Sequence, residues 1–340
     1  MVVISQNPAD NIIIGVIAIV FLVFVADKVI AKSIKLGKRF GISQIFIGLT
    51  VISIGTSLPE ITTSVVASLD IIRGNIDPFV ASSTVLGTNI GSDIVQQTLI
   101  IGIVGILAIL HGRAIHISRK FLKEDFLIMI LAAVLVLLFG LDGGISRAEG
   151  AVLFFGYILY LWFLWIREGK SFKDHHRFAF KGGDKKEIFR DIIHIIIGLA
   201  VIVISAEYML KVSEFFVVHF NISGSMIGIL VIGIATSLPE LTTSITAILR
   251  GASSISLGTL IGSNITNPML ALGLGAMIST YQVPRSIIVY DLPVNIITAV
   301  IIMGVLWRSR MLTRKFSIIM IFMYIAYLLV RFRYFAVDII

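Results

Sequence analysis

Two carboxylates in this chain sit in the middle of apolar runs, each behind a helix-breaking proline. Gly55-Thr56-Ser57-Leu58-Pro59-Glu60 lies inside one run, and Ala235-Thr236-Ser237-Leu238-Pro239-Glu240 inside another. Proline has no N–H, so within a helix Pro59 cannot donate to the carbonyl of Gly55, nor Pro239 to that of Ala235. Backbone freed in this way is tolerated at membrane depth only where it is buried in protein or lines a polar cavity. Thr56 and Glu60 are four residues apart, as are Thr236 and Glu240, a spacing that places each pair on one helical face beside that carbonyl. Each motif thus offers a hydroxyl, a carbonyl and a carboxylate. Two such sets facing each other would supply the roughly six to eight oxygens that Ca²⁺ takes, and two glutamates would neutralise one divalent ion. A mid-membrane carboxylate costs about 2.5–3.5 kcal/mol on insertion scales. Accepting that cost twice at matched places points to a transported ion rather than to a plain kink with an internal hydrogen bond.

A second motif also occurs twice. Gly87-Thr88-Asn89-Ile90-Gly91-Ser92-Asp93-Ile94-Val95-Gln96 is answered by Gly258-Thr259-Leu260-Ile261-Gly262-Ser263-Asn264-Ile265-Thr266-Asn267. Small residues let helices approach closely, so close packing competes with ion binding as its purpose. Ser92 and Gln96 lie four apart, and so do Ser263 and Asn267, which presents oxygens along one face as ligands or as supports of ligands. Asp93, whose counterpart is Asn264, points to a different face from Ser92, and is expected to serve proton movement or to pair with a helix end. Asp27 and Glu207 fall near segment edges, where structural pairing is expected.

The elements that must hold these motifs are membrane spans. The 340 residues are 57% hydrophobic and only 14% charged, with a mean hydropathy of +1.01. A soluble domain carries about 25% charged residues. Ten apolar segments are expected, at about 10–32, 42–69, 79–110, 121–141, 148–167, 191–218, 222–249, 254–279, 286–307 and 316–336. The first has no basic stretch before it and reads as a retained helix. With the N-terminus outside, twenty-one Lys and Arg residues fall in inner loops against five in outer ones, namely Arg73, Arg147, Arg285, Arg331 and Arg333. That bias predicts a multi-pass protein of the cell membrane with both termini outside and the central loop cytoplasmic. It also accounts for the net charge of +8 as topology, leaving no reason to invoke nucleic acid. Cysteine is absent, so any metal is held by oxygen or imidazole. The central loop 167–190, with His175 and His176, reads as a solvated linker touching lipid headgroups.

This loop divides the chain into five segments at 1–166 and five at 191–340. Residues 42–69 align without gaps on 222–249 with 17 of 28 positions identical. An odd number of crossings per half means that homologous halves enter the membrane from opposite sides. The expected fold is therefore an all-α integral membrane protein, ten transmembrane helices forming two inverted-topology five-helix repeats. The two TSLPE motifs, each followed by a Gly-x-x-Ile-Gly-Ser motif, resemble the calcium/cation antiporter superfamily, most closely its prokaryotic sodium/calcium exchangers. That resemblance spans essentially the whole chain. It implies a secondary transporter exchanging Ca²⁺ for Na⁺ by alternating access. It further implies that Glu60, Glu240, Thr56 and Thr236 form the calcium site, with Ser57, Ser237, Ser92, Ser263, Gln96 and Asn267 lining flanking sodium sites. Gly55 and Ala235 would contribute carbonyls. Where the well-studied exchangers carry an aspartate and an asparagine, this chain has Asn267 and Gln96. Two carboxylates suit one Ca²⁺, while the missing third makes Ca²⁺/H⁺ exchange the alternative. No cofactor and no catalytic residues are expected: Ser57 and Ser237 lack a neighbouring base, and no paired-His zinc motif or phosphate-binding loop is present. The chain is expected to act as a monomer whose partners are Ca²⁺, Na⁺ or H⁺, and lipid.

Overall fold

The computed structural model describes residues 8–40, 42–113, 115–175, 185–218 and 224–335. These form helical runs α1 (Pro8–Phe40), α2a (Gln44–Thr56) with α2b (Leu58–Arg73), α3 (Pro78–Leu110), α4 (119–140) and α5 (Arg147–His175). After residues 176–184 come α6 (Lys185–Val218), α7a (224–236) with α7b (Leu238–Leu249), α8 (253–278), α9 (Ile287–Ser309) and α10 (Arg314–Tyr334). Among the described residues, four stretches are long and apolar enough to cross a membrane, Pro78–Leu110, Arg147–Arg167, Ile287–Ser309 and Arg314–Tyr334; counting each bent pair as one span makes six.

The surface is apolar, and polar side chains are buried alongside an apolar core, unlike in a soluble domain. Trp162, Trp165, Phe322, Leu329 and Phe332 point outward, and so does the α1 stripe Ile13, Val16, Ile17, Val20, Phe21 and Phe24. Glu60, Glu240, Gln96, Asn267 and Asn264 lie inside. The central loop foreseen at 167–190 is helical at both ends, because α5 continues to His175 and α6 begins at Lys185. An ion-pair seam fixes the second of these extensions. Lys32 reaches Asp191 at 2.5 Å, Lys35 bridges Glu187 and Asp191, and Arg39 pairs with Glu187. Hydrogen bonds from Lys35 and Arg39 hold the Glu187 carboxyl at about 2, below its ordinary value. His176 lies outside the described residues, and so do the side chains of His175 and Glu207.

Features of the first half recur in the second. Among the described residues six helices contain one π-helical turn, in three matched pairs: Gly48–Ile52 with Gly228–Ile232, Gln96–Ile100 with Asn267–Ala271, and Leu122–Phe126 with Ile287–Asp291. Helices cross between halves where glycines meet. A Cβ on Gly48 would come within 2.9 Å of the Gly258 Cα, and one on Gly228 would come equally near the Gly87 carbonyl carbon. Only residues without side chains allow α2a to lie on α8, and α7a on α3, at this separation. Strand β1 (Gly144–Ile145) pairs antiparallel with β2 (Tyr281–Gln282), and His116 pairs likewise with Met311.

Buried arginines also match. Arg167 pairs with Asp125 at 2.9 Å, with Tyr160 donating to the same carboxylate, and Arg331 pairs with Asp291 at 3.1 Å, with Tyr327 donating to it. Arg331, placed with the outer-loop charges from sequence, is instead fully buried and also donates to Ser225 at 2.6 Å. Its long side chain turns inward because a buried carboxylate is there to receive it.

Candidate ion-binding site

Pro59 and Pro239 do not kink one continuous helix; they begin new ones. Ser57 (φ −81°, ψ 5°) ends α2a, and Pro59 occupies the second position of α2b, where a missing N–H costs nothing. The two pieces are bent by 44°, and α7a and α7b by 41° at Ser237. Glu60 and Glu240 each fall in the first turn of the new helix, where the helix dipole favours negative charge. Both carboxylates have 0% exposure.

The break changes which residues meet. Thr56 and Glu60, expected on one face, are separated by the bend. Thr56 lies against Glu240 of the other half, and Thr236 against Glu60. The hydroxyl of Thr56 donates back to the Ile52 carbonyl at 3.0 Å, so its lone pairs stay available to a cation. Ser57 crosses over too, donating to Glu240 Oε1 at 3.5 Å. The serines of the second motif stay within their own halves: Ser92 donates to Glu60 Oε1 at 2.9 Å and Ser263 to Glu240 Oε1 at 3.3 Å. Ser92 and Ser237 hydroxyls stand 2.8 Å apart. The second oxygen of each glutamate, Oε2, is buried without a hydrogen-bond partner among the described residues. Gly55 and Ala235 are buried directly before these threonines. Eight of the twelve residues singled out from sequence thus meet as side chains at one centre, Gly55 and Ala235 directly precede its threonines in the chain, and Gln96 and Asn267 border it.

Gln96 donates to Ser92 at 3.0 Å, as its spacing predicts. Asn267 does not repeat this with Ser263; it donates to Asp93 at 2.9 Å. Asp93 accordingly faces the opposite half rather than a helix end. The matching contact runs the other way, Asn264 donating to Gln96 Oε1 at 2.8 Å. Behind these amides stands a network that sequence reasoning missed. Gln97 donates to Asn264 Oδ1 at 2.8 Å and to Asn295 Oδ1 at 2.5 Å, and Thr298 donates to Gln97 Oε1 at 2.9 Å. The available signal was an amide, Asn295, alone in the apolar α9. Among the described residues no three His, Asp or Glu side chains converge with metal-holding geometry. Asp27 makes the structural pairing expected of it, accepting from Arg250 at 2.7 Å and 2.9 Å.

A family profile described as "Sodium/calcium exchanger protein" matches residues 11–166 and 191–333. The chain is 30% identical over 95% of its length to the sodium/calcium exchanger MaX1 of Methanosarcina acetivorans, covering 98% of that protein. It is 29% identical to the inner membrane protein YrbG of Escherichia coli over 86% of this chain and 87% of YrbG. Among solved structures, the sodium-calcium exchanger NCX_Mj soaked with Na⁺ and Sr²⁺ superposes with a TM-score of 0.76 at 25% identity, covering 94% of this chain and 98% of that one.

Proposed function

The chain belongs to the sodium/calcium exchanger protein family, and from that premise we propose that it moves Ca²⁺ across a membrane in exchange for Na⁺. As a family member it is a multi-pass membrane transporter rather than an enzyme. In this reading its ten helical runs are ten spans, arranged as inverted repeats at 1–166 and 191–340. The excess of Lys and Arg in alternate loops supports outside termini and a cytoplasmic connection at 167–190. The matched π turns, glycine contacts and buried arginines support the repeat. A single chain holds both halves of the site, in keeping with a monomer.

The observation that carries the reading is the crossed arrangement at Glu60 and Glu240. Each carboxylate is served by a threonine of the other half and a serine of its own. Two carboxylates, two threonine hydroxyls and the carbonyls of Gly55 and Ala235 give a hard, oxygen-only set with the charge to balance one Ca²⁺. Ser57, Ser237, Ser92, Ser263, Gln96 and Asn267 would line the Na⁺ positions around it. Because each half contributes to both carboxylates, relative movement of the halves alters the whole site at once, as alternating access requires. Full burial of both carboxylates is in keeping with such a cycle, in which the site is closed off between two openings.

Ca²⁺/H⁺ exchange is the second reading, favoured by the neutral amides: Gln96 and Asn264 satisfy each other and leave less for Na⁺. Uptake of ⁴⁵Ca²⁺ into proteoliposomes under an imposed Na⁺ or H⁺ gradient separates the two. Uptake driven by an outward Na⁺ gradient, and absent without a counter-ion, is the expected result. Uptake that only a proton gradient drives would select the second reading, and flux needing no counter-ion would mean a channel.

A further inference from the structure

The two halves differ in charge at one contact that otherwise repeats. Asp93 occupies in the first motif the place of Asn264 in the second, and Gln96 the place of Asn267. The cross-half pairs Asp93–Asn267 and Asn264–Gln96 are therefore counterparts, at 2.9 Å and 2.8 Å. Only the first contains a carboxylate. Asp93 is 2% exposed, takes part in none of the ion pairs among the described residues, and is met by the amides of Asn267 and Asn295. A carboxylate inside a membrane protein without a basic partner is a strong pointer to an ion pathway. A second observation points the same way. Asn267 Oδ1 is fully buried and has no hydrogen-bond partner among the described residues. An amide next to a carboxylate can serve two ways: its N–H₂ donates to the bare carboxylate, and a half-turn presents Oδ1 to a cation that the carboxylate holds.

Glu60 is close enough for its charge to be felt by Asp93, yet among the described residues Asp93 does not join the two glutamates in a three-carboxylate cluster. It serves a separate, adjoining position. We propose that Asp93 and Asn267 together form a Na⁺ site beside the Glu60–Glu240 centre, with the third carboxylate of the pathway supplied by the first half of the chain. The proposal rests on the exchange reading above. Position 267 carries a neutral amide, and the acidic group stands across the helix contact at 93.

The test uses the full chain in proteoliposomes and compares Na⁺-driven ⁴⁵Ca²⁺ uptake with Ca²⁺/Ca²⁺ exchange, which needs no Na⁺. Asp93→Asn is expected to raise the Na⁺ concentration for half-maximal exchange by about tenfold or more, the loss of one charged ligand, while Ca²⁺/Ca²⁺ exchange persists. The swap Asp93→Asn with Asn267→Asp returns the charge to the same contact, and its Na⁺ requirement is expected within about threefold of wild type, since a good charge-assisted contact survives reversal. Three results would overturn the proposal: an unchanged Na⁺ requirement in Asp93→Asn, loss of Ca²⁺/Ca²⁺ exchange along with the Na⁺ response, or a swap no better than the single variant. Wild-type exchange indifferent to Na⁺ would bring down the exchange reading as well, so the two failures are told apart.

Discussion

The helix breaks and the amide belt show how the two halves share duties. At the breaks, residues 53–60 and 233–240 are near copies: each glutamate opens a new helix, is fully buried, and receives a serine from its own half. At the amide belt the copies part. Asp93 and Gln96 in the first half answer Asn264 and Asn267 in the second, so one side carries a charge that the other lacks. A divalent ion held between equals needs matched carboxylates. A charge off the axis has no such need, and there the two motifs differ in charge.

That comparison is broken most severely by removing one of the equal partners. Glu60→Gln and Glu240→Gln are each expected to abolish Ca²⁺ exchange, by about a hundredfold or more, as for loss of an ionised ligand worth about 3 kcal/mol. Both proteins should still insert and purify normally, and the readout is ⁴⁵Ca²⁺ flux in vesicles. Normal transport in either variant refutes the shared site, while a large difference between them refutes its symmetry.

The buried arginines sharpen the comparison through stability. Arg331 has 0% side-chain exposure beside a buried Asp291, whereas Arg167 keeps 13% and has Glu124 as a second partner. Stranding a buried carboxylate costs about 3–5 kcal/mol. Arg331→Met should therefore lower the unfolding midpoint clearly more than Arg167→Met does, as followed by thermal unfolding in detergent. Equal losses would mean that Arg331 reaches water by another route.

The smallest effect belongs to the half-exposed seam between α1 and α6. Glu187→Gln should shift the midpoint by only about 1–2 °C, as for other surface pairs. Because the Glu187 carboxyl titrates lower folded (about 2) than its ordinary value of 4.5, the seam's contribution is complete above about pH 4.5 and fades as pH falls towards 2. The chain has no cysteine, so a single introduced pair across α1 and α6 reports the seam by cross-linking yield at each pH.

The twin carboxylates, the repeat and the break points were legible in the sequence because each is local. A proline, a glutamate and an apolar run within a few residues state their own constraint, and a gapless alignment of 28 residues states the repeat. Other contacts needed the folded chain. Thr56 reaching Glu240, Asp93 meeting Asn267 and Arg331 turning inward all join residues remote in sequence or on either side of a helix irregularity. Four-residue spacing predicts a shared face only along an unbroken α-helix. The break at Ser57 and the π turns that begin at Gln96 and Asn267 each rotate the next stretch of helix, since one extra residue turns a helix by about 100°. Residue types were therefore enough to pick out two buried carboxylates in matched places, and only the tertiary structure decided which side chains surround them and where Asp93 stands.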